Sequence, residues 1–309
     1  MADIAILLNP NACNGKAGNR KTELENTLKK YEIDYQLLIS ESESHLRSLV
    51  SQTKDCHTIV GAGGDGTFNI IVNELMKHGY KTRFAMLPLG LQNDIAREFG
   101  VDSLEEACYA IMSLRRTTQI DLGVVTADKQ DPVYFLGTAS LGLGVTVNKY
   151  VSEFRKRHPR AGVNFFDGLL GCYNSFSTKS VPLKLTVSYG NTIIPSKFSL
   201  IVFNNTSFYA GGIKPSKGAK PDDGLLDCCL IESDKFSKYL LYIYPLAYFG
   251  QLRRARGVRL MQSNSLRIRA ENTFEIQTDG EIIGPYRDIN ISVKPKALSV
   301  IVSSNYATN

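Results

Sequence analysis

The residues best suited to holding a phosphate lie in three polar turns within the first hundred positions. Gly61-Ala62-Gly63-Gly64-Asp65-Gly66-Thr67 separates an apolar run from a helical pattern. Glycines let backbone approach a phosphate closely, and a helix N-terminus offers amide donors and a positive dipole end. An aspartate in such a loop repels phosphate unless a cation lies between them, so Asp65 reads as a holder of Mg²⁺, directly or through water. A tight structural turn is the plain alternative. The spacing is neither GxxxxGK[ST] nor GxGxxG, which excludes a Walker A loop and the dinucleotide fingerprint. Asn9-Pro10-Asn11-Ala12-Cys13-Asn14-Gly15-Lys16 adds a polar turn and one lysine within reach of a phosphate. Pro88-Leu89-Gly90-Leu91-Gln92-Asn93-Asp94 precedes Arg97, and Asp94 and Arg97 are spaced to share one face of a helical turn. A helix N-cap at Asn93 or Asp94 is the alternative there.

The elements that must position these turns alternate. Apolar strands are expected at Asp3–Asn9, Tyr35–Ile39, Thr58–Gly61 and Phe84–Leu87. Helices are expected at Lys21–Tyr31, Ser44–Thr53, Thr67–His78, Asn93–Phe99 and Leu104–Leu114. Strand-helix alternation argues for an α/β domain, a parallel sheet flanked by helices, over residues 1–122. Ligands bind such sheets at the strand ends, where all three turns fall. Beyond residue 122 the pattern turns to strands: 133–141, 183–189, 192–204, 224–231, 265–269, 273–278 and 289–293, with helices near 164–176 and 233–249. Residues 123–296 therefore read as an all-β, sandwich-like second domain. Residues 297–309 hold a last strand that is a candidate to rejoin the first domain.

Charge divides along the same line. Residues 1–122 carry 13 Lys and Arg against 16 Asp and Glu, a net of −3, whereas residues 123–309 carry a net of +9. Lys149, Arg155, Lys156, Arg157 and Arg160 form one cluster, and Arg253, Arg254, Arg256 and Arg259 another. Solvated helix faces are one reading. An anionic partner is the other, and no zinc-finger, RNP or helix-turn-helix signature makes that partner a nucleic acid. Phe154, Phe165 and Phe166 lie near the first cluster as apolar anchors for a membrane surface, and the second cluster ranks behind it. Six cysteines include no CxxC pair, which excludes a zinc ribbon and fits a reducing cytosol. No apolar run approaches the ~20 residues of a spanning helix.

Taken together the motifs resemble the diacylglycerol kinase catalytic-domain family of lipid kinases, which includes sphingosine kinases and bacterial lipid kinases. The resemblance rests on Asn9-Pro10 with Gly15-Lys16, Gly63–Thr67, Gly90 through Asn93-Asp94 and Arg97. It continues through Ile120–Gly123, Gly211-Gly212, Pro221–Asp227 and Asp279-Gly280-Glu281, in the family's order over nearly the whole chain. The resemblance implies an NAD-kinase-like fold with ATP in a cleft and a lipid acceptor near the second domain. It implies that Asn9, Lys16, Gly63, Gly64, Gly66, Thr67, Gly90, Asn93 and Arg97 hold the nucleotide. By it, Asp65, Asp94 and Asp121 form a carboxylate and water network around catalytic Mg²⁺, and Glu281 is the general base. Asp223 and Asp227 would hold a second, structural metal. The family usually has threonine where this chain has Leu91, and Ala255–Val258 lacks a Gly-x-His that often occurs there.

The residues allow other readings. Thr278–Glu281 is a hairpin-turn signature, and Asp222-Asp223-Gly224 can be a turn alone. A soluble NAD-kinase-like small-molecule kinase would require neither Glu281 nor a basic second half. A non-catalytic lipid or nucleotide sensor would not require intact Asp65, Asp94, Asp121 and Glu281. The expected partners are ATP and a lipid in an anionic membrane, met from the cytoplasmic side by a peripheral enzyme of phospholipid biosynthesis. A homodimer is left open.

Overall fold

The structure, a computed structural model, describes residues 3–13, 15–113, 116–158, 165–216 and 218–306. The chain forms two compact units. The first comprises Met1–Leu122, Ala210–Gly212 and Pro295–Asn309, and the second Gly123–Tyr209 and Ile213–Lys294.

In the first unit, β1 (Ile4–Leu8), β2 (Gln36–Ile39), β3 (Thr58–Gly63) and β4 (Arg83–Pro88) form a parallel sheet in the order β4-β3-β1-β2. Residues of the chain's last strand join it beside β4, where Ser299 pairs with Arg83 and Val300 with Phe84. Every residue of β1 and β3 is buried, as expected where helices cover both faces of a sheet. The helices are α1 (Lys16–Asn19), α2 (Lys21–Lys30), α3 (Glu43–Gln52), α4 (Asp65–His78), α5 (Asp94–Glu98) and α6 (Leu104–Ser113). Helix α4 starts two residues earlier than its apolar pattern suggests. Extended Gly64 is its N-cap, so Asp65 and Gly66 enter the first turn, where a carboxylate meets the positive dipole end. Gly79, left-handed at φ 66°, closes the helix by donating to the Leu75 and Met76 carbonyls.

The second unit begins within β5 (Thr117–Ala127) and continues with β6 (Val133–Phe135), β7 (Thr138–Gly142), α7 (Leu143–Arg157) and α8 (Phe165–Ser177). Strands β8 (Leu183–Tyr189), β9 (Thr192–Phe198), β10 (Leu200–Asn204) and β11 (Leu226–Ile231) follow. After them come α9 (Phe236–Lys238), a π-helical turn (Tyr239–Ile243), α10 (Tyr244–Tyr248), β12 (Val258–Ser263), β13 (Ser265–Thr278) and β14 (Glu281–Ile301). Antiparallel pairing runs β12-β11-β10-β7-β13, with β8 and β14 also on β13 and β9 on β8.

Two cores account for the buried strands. In β10, Ile201 and Phe203 join a core of strand residues including Phe135, Leu141 and Ile276, while Leu200 and Val202 face a second core with Leu143, Ile243 and Ala247. Cys228 and Cys229 fall on opposite sides of that division. Burial raises the Cys228 thiol pKa and takes Cys229 to about 12, so both stay protonated packing groups.

Several expected elements differ. The run 133–141 is broken at Leu136-Gly137, whose amides leave the ladder for a carboxylate described below. The run 192–204 breaks at Ser199, which bonds the Ile231 carbonyl. Residues 265–278 form one strand with register shifts between Arg269 and Phe274 and between Phe274 and Ile276. The segment 233–249 divides into α9, the π-helical turn and α10, with Pro245, which has no N–H to donate, in the first turn of α10. Helix α7 and strand β12 have no counterpart in the sequence pattern. Asn164, expected to begin a helix, lies outside the described residues.

Candidate functional site

The glycine-rich turns of the first unit are built against one another. β3 delivers Gly63 and Gly64 to the start of α4, and β4 delivers Leu89 and Gly90 beside them. The Leu89 N–H donates to the Gly63 carbonyl at 2.8 Å. A Cβ on Gly90 would stand 2.6 Å from the Gly64 Cα and 2.5 Å from Asn93 Oδ1. A Cβ on Gly63 would stand 2.4 Å from Thr67 Oγ1. Only glycine permits these approaches. Thr67 is held from the β1 end, where Asn9 Nδ2 donates to its Oγ1 at 3.0 Å. Asn93, left-handed at φ 50°, closes the second turn on itself: its Oδ1 accepts the Gly90 N–H at 2.9 Å and its Nδ2 donates to the Gly90 carbonyl. Gly64, the N-cap of α4, has no side chain with which to cap the first-turn amides such as that of Gly66, and helix-start amides of this kind suit an anion.

Asp65 joins the two turns. Its Oδ2 accepts the Asp94 N–H and its Oδ1 the Ile95 N–H, both at 3.1 Å, so one carboxylate caps α5 from the start of α4. Asp94 is itself buried. Its Oδ2 accepts the Gly211 N–H at 2.7 Å and its Oδ1 meets Arg97 Nη1 at 3.3 Å. This bond brings Ala210–Gly212 into the first unit. Gly211 sits at φ 87°, and a Cβ there would stand 2.8 Å from Gln92 Nε2. Arg97 also donates to the Gln92 carbonyl. Asp121 is buried, and its Oδ1 accepts the Lys296 N–H at 2.8 Å, tying the end of the chain to β5. The side chain of Lys16 lies outside the described residues. Leu91 is exposed.

In the second unit, β13 and β14 meet in a two-residue turn in which Thr278 pairs with Glu281. Asp279 and Gly280 both have positive φ, 45° and 99°, the geometry Asp-Gly hairpins adopt. Glu281 is therefore the first residue past the turn, and it is exposed. The Asp279 carboxylate, buried, accepts three consecutive amides: Leu136 at 2.7 Å, Gly137 at 2.9 Å and Thr138 at 2.8 Å. The Asp279 N–H returns a bond to the Thr138 carbonyl. Asn205 and Asn148 brace the two sides, donating to the carbonyls of Leu136 and Gly280. Asp223 Oδ1 accepts the Leu225 N–H in a local turn, while Asp227 Oδ2 accepts from Gln262 Nε2. Burial raises the Asp227 pKa, with the Gln262 bond opposing it.

The structure thus joins Asn9, Gly63, Gly64, Asp65, Thr67, Gly90, Asn93, Asp94 and Arg97 into one contiguous group. It gives Asp121, Asp223 and Asp227 separate partners. Among the described residues no three His, Cys, Asp or Glu side chains converge as a metal site. Asp65 and Asp94 remain hard oxygen donors on adjoining turns, which suits Mg²⁺ held by one or two carboxylates with phosphate oxygens and water. Sequence reasoning gave no role to Asp279, Gly211, Gln92 or Asn205. The Asp-Gly pair signals the hairpin, but nothing local signals where the Asp279 oxygens go.

Comparison with known proteins adds to this geometry. The diacylglycerol kinase catalytic domain family matches residues 3–125, and the YegS C-terminal NAD kinase beta sandwich-like domain matches residues 137–302. A diacylglycerol kinase of Mycobacterium tuberculosis (strain ATCC 25618 / H37Rv) is 25% identical over 301 residues, covering 96% of this chain and 94% of its own. A diacylglycerol kinase of Bacillus subtilis (strain 168) is 22% identical over 249 residues, covering 77% and 78%. The crystal structure of a diacylglycerol kinase from Bacillus anthracis str. Sterne shares the fold, with a TM-score of 0.71, 19% identity and 98% of each chain covered.

Proposed function

This chain belongs to the family of lipid kinases that join a diacylglycerol kinase catalytic domain to a YegS-type C-terminal domain, and on that premise we propose that it transfers the γ-phosphate of ATP to a hydroxyl of a diacylglycerol-type lipid at the cytoplasmic membrane surface. The observation that carries the nucleotide half is the pair of interlocked turns, Gly63–Thr67 and Gly90–Asn93. They contribute backbone rather than side chains at their closest approach, as a surface for phosphate oxygens requires.

Phosphoryl transfer depends on positioning and charge neutralisation more than on covalent chemistry by the protein. In this reading the first-turn amides of α4 bind phosphate oxygens, and Asn9 and Asn93 hold the turns in shape. Lys16 and Arg97 would supply positive charge to the phosphates, the role the family resemblance implies for them. Asp65 and Asp94 are the residues that would hold Mg²⁺, which when bound neutralises phosphate charge; Asp121, bonded to the Lys296 N–H, braces β5. Glu281 accepts the proton of the acceptor hydroxyl as the new oxygen–phosphorus bond forms and the bond to the β-phosphate oxygen breaks, releasing ADP. A positioned base of this kind contributes ~10²–10⁴-fold. Asp279 fixes the turn from which Glu281 acts.

The test is transfer of labelled γ-phosphate from ATP to diacylglycerol, phosphatidylglycerol, a sphingoid base and undecaprenol in mixed micelles, with NAD as a soluble control acceptor. Label in a lipid phosphate is expected. Label in NAD, or release to water with no lipid product, would overturn the proposal.

A further inference from the structure

The segment 235–270 contains eight Lys and Arg and no Asp or Glu. Among the described residues of the second unit it also carries the two most exposed large apolar side chains, Leu241 and Phe249. The inner face of its helical pieces is ordinary core, since Ile243 and Ala247 pack with Leu143, Val202 and Ile231. The outer face is apolar as well: Leu241 is 77% exposed, Tyr248 65% and Phe249 71%. Leu241 lies in the π-helical turn, Tyr248 ends α10 and Phe249 is its C-cap residue, so the three make a stripe of exposed apolar side chains along one helical run. A short helix apolar on both faces has one face too many for a protein surrounded only by water.

The cations are held beside that stripe. The Tyr242 hydroxyl donates to the Arg254 carbonyl at 3.1 Å and accepts the Arg256 N–H at 3.3 Å, pinning the turn 253–256 to the helix. Arg253, Arg254 and Arg256 are exposed, and among the described residues none has a carboxylate within ion-pair distance. The other basic cluster is partly neutralised, because Lys149 pairs with Glu275 and Arg157 with Glu153. Arg160 and the side chains of Arg155, Phe165 and Phe166 lie outside the described residues.

We propose that Leu241, Tyr248 and Phe249 with Arg253, Arg254 and Arg256 form the face by which the protein docks on an anionic lipid bilayer. Apolar side chains enter the headgroup boundary while adjacent guanidiniums meet lipid phosphates. The inference rests on the lipid-kinase reading for its occupant, since a lipid acceptor stays in a bilayer and no helix among the described residues is long and apolar enough to cross one.

Binding of the full chain is measured by co-sedimentation with vesicles of phosphatidylcholine, alone and mixed with phosphatidylglycerol, over a salt series. R253Q/R254Q/R256Q should weaken binding to the mixed vesicles on the order of a hundredfold and flatten its salt dependence. L241S/F249S should weaken binding to both vesicle types by at least about tenfold. All five positions are exposed, so unchanged melting temperatures confirm intact folds. Both variants should keep wild-type transfer to a short-chain diacylglycerol dissolved as monomer. Wild-type vesicle binding by both variants would overturn the docking face, as would a change confined to their self-association. A wild-type chain that binds vesicles but phosphorylates no lipid would refute the kinase reading while leaving the face intact.

Discussion

Replacing Asp279 by Asn preserves size and removes only charge and one acceptor. In the native fold Oδ1 accepts Gly137 and Thr138 and Oδ2 accepts Leu136. An asparagine can keep its oxygen on the first pair, but its amide then faces the Leu136 N–H at a site where the acceptor stood 2.7 Å away. One charge-assisted bond is lost, worth about 1.5–3 kcal/mol, and a buried donor is left unmatched at about 1–3 kcal/mol. The two surviving bonds lose their charge assistance. Relaxation offsets part of the sum, and a net cost of about 3–5 kcal/mol is expected. At 2–4 °C for each kcal/mol, the melting temperature should fall by roughly 10 °C. The same change frees the turn that carries Glu281. Misplacing a reacting group by about 1 Å costs on the order of 10²-fold in rate. At a temperature where the variant remains folded, kcat for lipid phosphorylation should therefore drop about 10²-fold. KM for ATP should hold, because the nucleotide turns belong to the other unit. Thermal melts and single-turnover transfer assays read both quantities. A melting shift below about 2 °C with an unchanged kcat would refute the assignment of Asp279 as the anchor of Glu281.

Glu281→Gln removes the proposed base on the acceptor and should lower kcat by ~10²-fold or more with little change in KM for ATP; a change in KM for ATP alone would move Glu281 to nucleotide binding. Asp65→Asn should remove most turnover and also lower the melting temperature by several degrees, because an amide cannot accept both the Asp94 and Ile95 N–H groups; near-native turnover with native Mg²⁺ dependence would contradict its role. Gly63→Ala places a Cβ 2.4 Å from Thr67 Oγ1, so a loss of about 1–3 kcal/mol and a raised KM for ATP are expected in denaturant and steady-state measurements. The hydrogen bond from Arg267, with help from Arg269, lowers the Asp288 pKa below its ordinary 3.8. That pair's stabilisation is complete above pH 3.8 and fades as pH falls through the lower folded value. Asp288→Asn should thus be slightly less stable at neutral pH and converge with wild type in acid, and a gap that widens on acidification would disprove the coupling.

How much of the site could be read along the chain depends on the range of the interaction. The turn at Gly63–Thr67 was legible because an apolar run, glycines and a helical pattern adjoin, and each acts over a few residues. Asp-Gly before Glu281 was legible as a hairpin for the same reason. The start of α4 was misplaced by two residues because glycines read as loop, whereas Gly64 caps the helix and Gly66 is inside it. Helix α7 is not legible in the sequence because Val145, Thr146 and Val147 favour strand locally, and packing beside α8 decides otherwise. The long-range bonds left no trace at all. Asp94 finds the Gly211 amide 117 positions away, Asp121 finds Lys296 at 175, and Asp279 finds Leu136 at 143. A carboxylate's affinity for backbone amides is the same everywhere in the chain, so residue type limits what Asp279 can bind but not which amides reach it. Only the packed sheets bring those few amides to it and bury the alternatives.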